Sequence, residues 1–122
     1  MKIVLAVDGS THSHDAVRSL AYFAPPEELT LAHAIKLPDL DHPMVTPEIR
    51  DQVIEEIEGK LRLEGENILQ KARSEVPADF PSVQQVHQIG IPAQVILETA
   101  QSANSDLIII GARGLGPVKE LV

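Results

Sequence analysis

The sequence predicts an α/β fold, a doubly wound open parallel sheet with helices on both faces. Two observations carry that prediction. Short apolar runs of strand length alternate with longer segments whose apolar residues recur every three or four positions, giving the order β-α-β-α-β-α-β-(α). The runs IVLAV (residues 3–7) and LIII (residues 107–110) are apolar throughout rather than alternating, the pattern of strands covered on both faces. At 122 residues the chain reads as one domain, 1–122, long enough to bury about two-thirds of the surface its unfolded form exposes.

Residues 3–7 are the first strand. The turn DGSTHSHD follows and offers Ser10, Thr11 and Ser13 as candidate helix caps. Ala16, Val17, Leu20, Ala21 and Ala24 then keep helical spacing until Pro25 and Pro26 end the run. ELTLAHAI, residues 28–35, is the second strand, and KLPDLDHPMV is a proline-bearing loop. Thr46 caps a long helix with Pro47 at its first position. Ile49, Val53, Ile54, Ile57, Leu61, Ile68, Leu69 and Ala72 form the apolar stripe of that helix. Gly59 and Gly65 interrupt it, each weakening a helix by roughly 1 kcal/mol relative to alanine, so either is a place for a bend. SVQQVHQIG is a more polar strand, suited to a sheet edge. PAQVILETAQSA is a helix opened by Pro92, and residues 107–110 are the fourth strand. The chain contains no internal repeat, low-complexity segment or linker.

Composition excludes several classes of function. Ten Lys and Arg against eighteen Asp and Glu give a net charge of −8, which repels a phosphate backbone, and no local basic face offsets it. Tyr22, Phe23 and Phe80 are too few aromatics for a base-stacking platform, so no nucleic-acid partner is expected. The absence of cysteine removes disulfides, thiolate metal sites and cysteine nucleophiles. No apolar run approaches the roughly 18 residues of a membrane span, and MKIVLAVDGS does not read as a signal peptide. A cytoplasmic protein without membrane attachment is expected.

Two strand ends carry residues with chemistry. In a sheet of this kind ligands bind outside the carboxyl ends of the strands, where the strand order reverses. Asp8, Gly9 and Ser10 follow the first strand; Gly111, Ala112, Arg113 and Gly114 follow the fourth. Glycines in a strand-to-helix turn let backbone amides approach an anion, the helix adds its positive dipole end, and Arg113 adds a cation. A bare G-x-x-G is also a common structural turn. Asp8 reads equally as a turn residue accepting amides from Ser10 or Thr11, or as a contact to ribose, base or a phosphate-bound metal. The sequence has no G-K-[ST] for a P-loop, no dinucleotide fingerprint after the first strand and no G-x-S-x-G. The histidines His12, His14, His33, His42 and His87 lack zinc-type spacing: His12 and His14 diverge on a helix, while His33 and His87 read as core or edge strand residues. No metal site is expected.

Taken together, IVLAVDGS…SHDAVRSLAYFA, LTLAHAI and GIPAQVILETAQSANSDLIIIGARGLG resemble the universal stress protein family across essentially the whole chain. The resemblance implies strand order 3-2-1-4-5, a homodimer and, for the members with G-x-x-G, nine residues, then G-[ST], ATP accompanied by magnesium. Gly111 and Gly114 match the first two glycines of that motif. By the same resemblance Asp8 would contact the nucleotide with its neighbours Gly9 and Ser10, the backbone near Ala34 would hold adenine, and Gly111 to Gly114 would line ribose and phosphate. The third glycine would fall beyond Val122, with the rest of the fourth helix and the fifth strand. The chain is therefore expected to be a domain truncated at its C-terminus, and losing two charge-assisted contacts would weaken ATP by roughly a hundredfold or more. The implied function is an ATP-binding stress-response regulator, with slow hydrolysis at most because no residue has the placement of a catalytic base. Two alternatives stand beside it: a stress protein acting through dimerisation alone, and a flavodoxin-like electron carrier using GSTHS as its phosphate loop.

Overall fold

The computed structural model describes residues 1–111. The elements are β1 (Lys2–Ala6), α1 (Thr11–Ser19) with a 3-10 turn (Leu20–Tyr22), β2 (Glu28–Ile35), α2 (Pro47–Glu75), β3 (Val83–Ile89), α3 (Pro92–Ser102) and β4 (Leu107–Ile110). All strand pairs are parallel, in the order β3-β2-β1-β4. Two crossovers lead outward from β1 to β3, and α3 then carries the chain back across the sheet to β4. A right-handed return of that kind puts α3 on the face opposite α1 and α2.

Side-chain alternation divides the core accordingly. Ile3, Leu5, Leu29 and Leu31 point to α1 and α2 and cluster with Val17, Leu69 and Ala72, whereas Ala6, Thr30, Ala32 and Ala34 line cavities beside α3. Leu5, Leu29 and Leu31 are fully buried, each contributing about 1.5–3 kcal/mol relative to exposure. Asp106 fastens β4 to β1: its N–H donates to Lys2 O at 2.8 Å and its Oδ2 accepts the Lys2 N–H at 2.8 Å.

The helix starts follow their caps. Ser10 Oγ accepts the Ser13 N–H at 3.1 Å, and Thr46 Oγ1 accepts the Ile49 N–H at 3.3 Å ahead of Pro47. The first helix ends earlier than its apolar spacing suggests. Beyond Ser19 the chain tightens to a three-residue repeat, the helical stripe is lost, and Ala21 and Ala24 are exposed. α2 runs through Gly59 and Gly65 as one helix of 29 residues, about 44 Å long by its rise. That exceeds the span of an eight-residue strand, so burial is concentrated at Gly65, Leu69 and Ala72 in its second half, and Ile49 is 51% exposed. The edge position of β3 agrees with its polar composition, and the start of the helix expected after β4 lies outside the described residues.

Candidate functional site

The carboxyl ends of β1, β2 and β4 do not finish level. β1 pairs with β2 as far as Ala6↔Ala32 and with β4 as far as Ala6↔Ile110, and Val7 N–H closes the ladder on Ala32 O at 2.9 Å. β2 continues three residues farther, to Ile35, paired only with β3. Alternate residues of a strand direct both backbone groups to the same side. Ala34 therefore presents its N–H and C=O toward the side that β1 has left.

At the end of β1 the chain turns through Asp8, Gly9 and Ser10. Asp8 Oδ1 accepts the Ser10 N–H at 2.9 Å, and the Asp8 N–H donates to Ser13 Oγ at 3.2 Å. The turn role foreseen for Asp8 is thus formed by Ser10, and the Ser10 hydroxyl itself is spent on the α1 cap. Gly9 sits at φ +82°, a conformation that a side chain strains, with Ile68 of α2 directly over it.

Asp8, Ala34 and Gly111 line one cavity of about 160 Å³, walled on the α3 side by Pro92 and Ile96 and from β4 by Ile110. Gly9 and Ser10 are not in it. They border a separate groove of about 240 Å³ on the other face, between α1 and α2. Gly111 has a packing role of its own: a Cβ there would fall 2.5 Å from the carbonyl of His12 and 2.6 Å from Ser13 N, so its absence lets β4 end against the first turn of α1. Arg113 and Gly114 lie outside the described residues.

Sequence reasoning missed Pro92 and Ile96 as walls. Pro92 was legible only as a helix start; its place beside β1 and β2 comes from the return crossover, which no local pattern encodes. His14 Nδ1 lies 2.8 Å from Glu75 Oε1, whereas His33 and His87 stand side by side beneath α2, a pairing set by the β2–β3 register rather than by sequence spacing. Among the described residues no group of three or more His, Cys, Asp or Glu is arranged to hold a metal. No described helix is long and apolar enough to cross a membrane. The crevice offers a mainly apolar cavity with the backbone of Ala34 and the carboxylate of Asp8 among its lining, an arrangement suited to a heterocycle carrying hydroxyls.

Comparison with known proteins matches residues 1–122 to the universal stress protein family. Universal stress protein YxiE of Bacillus subtilis (strain 168) is 27% identical over 128 residues, covering 99% of this chain and 84% of that protein. Among solved structures, hypothetical protein MJ0577 superposes with a TM-score of 0.69 at 25% identity, covering 88% of this chain and 71% of its own. A universal stress protein family member from Arabidopsis thaliana with AMP bound gives 0.55 at 21% identity, covering 97% and 80%. A universal stress protein in complex with cAMP gives 0.52 at 20% identity, covering 97% and 77%.

Proposed function

Since this chain belongs to the universal stress protein family, we propose that it binds ATP, with magnesium, in the crevice at the ends of β1, β2 and β4 and acts as a cytoplasmic stress-response regulator. The observation that carries this reading is that β2 runs past the end of β1, so that the backbone of Ala34 and Asp8 line the same cavity. The Ala34 N–H can donate to an adenine ring nitrogen and its C=O can accept from the exocyclic amine, while Asp8 accepts from ribose hydroxyls. The cavity of about 160 Å³ is smaller than the roughly 300 Å³ of a pocket that encloses a drug-sized ligand. It takes one ring system, leaving the phosphates to Gly111, Arg113 and Gly114. Support also comes from the AMP and cAMP held by two structural neighbours, which share adenosine with ATP. No catalytic base enters the proposal, so the output is a bound state rather than a product. A homodimer is the proposed assembly.

A second reading rests on Gly111. Its missing side chain is explained by contact with His12 and Ser13, with no ligand needed, which fits a family member acting through dimerisation alone. Family membership leaves the flavin-carrier alternative without support. Calorimetric titration with magnesium ATP separates the remaining two. The chain is expected to bind, and Asp8→Ala to weaken binding by about 1.5–3 kcal/mol, roughly ten- to a hundredfold, the worth of a hydrogen bond to a charged group. Absence of binding at millimolar nucleotide in the unaltered, folded chain, and also in a chain extended past Val122, would favour the second reading.

A further inference from the structure

His33 stands opposite His87 in the β2–β3 register, with ring centroids 5.0 Å apart and planes inclined by 57°. Gly65 of α2 closes over both rings. A Cβ at that position would fall 2.8 Å from His33 Nδ1 and 2.7 Å from His87 Cε1, and nearer still to His87 Nε2. Those two nitrogens, His33 Nδ1 and His87 Nε2, are buried without a hydrogen-bond partner among the described residues. A neutral imidazole leaves one ring nitrogen without a proton, and a bare nitrogen can rest against a glycine. An imidazolium carries a proton on both nitrogens, so an N–H would be driven into that contact with nothing to accept it.

We propose that His33, His87 and Gly65 form a proton-operated latch, which seats α2 on the sheet while both imidazoles are neutral and loosens it when either is protonated. The charges facing the pair act in both directions. Asp8, at the end of β1, and Glu64 of α2 favour a charged His33, and Glu66 of α2 favours a charged His87. Burial opposes them and is the largest influence on each ring, joined at His33 by the neighbouring His87 and at His87 by Arg62 of α2; both pKa values lie below the ordinary 6.5. With the folded values lowered, the unfolded chain takes up protons first. Stability is therefore whole above pH 6.5 and falls as the pH drops from there toward the folded values. Ile68, one turn beyond Gly65, covers Gly9, so loosening this part of α2 also releases the turn that carries Asp8. This inference is independent of any nucleotide.

The test is amide exchange over residues 61–72 of the whole chain, expressed as protection factors at about pH 7.5 and about pH 5.5, with the imidazoles titrated by NMR. Protection in this segment is expected to fall severalfold at the lower pH, in the direction set by the lowered folded-state pKa values. The double substitution His33→Asn with His87→Gln is expected to abolish that fall, while His42→Gln on the exposed loop leaves it in place. Equal protection at the two pH values in the unaltered chain would overturn the proposal, as would His33 and His87 both titrating at or above 6.5. So would a folded double variant that loses protection as the unaltered chain does. If the double variant does not fold, the unaltered chain decides the matter alone.

Discussion

Gly65 is where α2 comes closest to the two histidine rings of β2 and β3. Alanine ordinarily stabilises a helix relative to glycine by roughly 1 kcal/mol, but here its methyl would meet both imidazoles. Overpacking of a well-filled site costs about 1–3 kcal/mol, so the sign reverses and Gly65→Ala is expected to lower stability in urea unfolding. Adding His87→Ala is expected to recover part of the loss, because the nearest obstructing ring is gone. A Gly65→Ala protein as stable as the parent would show that the rings yield freely. The contrast with Gly59 is instructive: nothing lies within 4 Å of a Cβ there. Both glycines look alike as helix interruptions in sequence, and only the partner strands tell them apart.

Among the elements, the two capped helices differ in what their caps hold. Ser10 starts α1, whose Val17 lies in the main core, and its cap shares the turn with Asp8. Thr46 starts the half of α2 that carries little buried surface. Removing a capping hydroxyl costs about 1 kcal/mol of helix stability in either place. Ser10→Ala is expected to shift the global unfolding midpoint by that amount. Thr46→Ala is expected to act mainly as faster amide exchange in the first turns of α2, with a smaller global shift. Equal global shifts would mean that α2 unfolds as one unit with the core. The start of α2 was legible because Thr46-Pro47 states it locally. The end of α1 was not, because Ala21 and Ala24 continue the helical spacing in sequence, yet the tighter turn from Leu20 onward leaves both exposed.

For the molecule as a whole, a net charge of −8 means that an anionic ligand would have to be held by local features, and the proposed site puts them where the strands end unevenly. The parallel sheet was legible because strand-length segments alternate with segments of helical spacing, even though β3 is more polar than the other strands. Half of the crevice was legible too, since Asp8 and Gly111 follow strands that must neighbour at a reversal of strand order. The α3 wall was not, because Pro92 and Ile96 reach it only through a crossover over the opposite face. Gly9 and Ser10 adjoin Asp8 in sequence yet face the other groove, since the turn at Gly9 sends them toward α2. The central claim concerns this choice between two faces, and one measurement addresses it: assigned amide spectra of the chain titrated with magnesium ATP. The account predicts shifts concentrated at Asp8, Ala34, Ile96 and Gly111, with Asn67, Lys71 and Ala72 of the α1–α2 groove unmoved. Shifts confined to that groove, or none anywhere at saturating nucleotide, would contradict it.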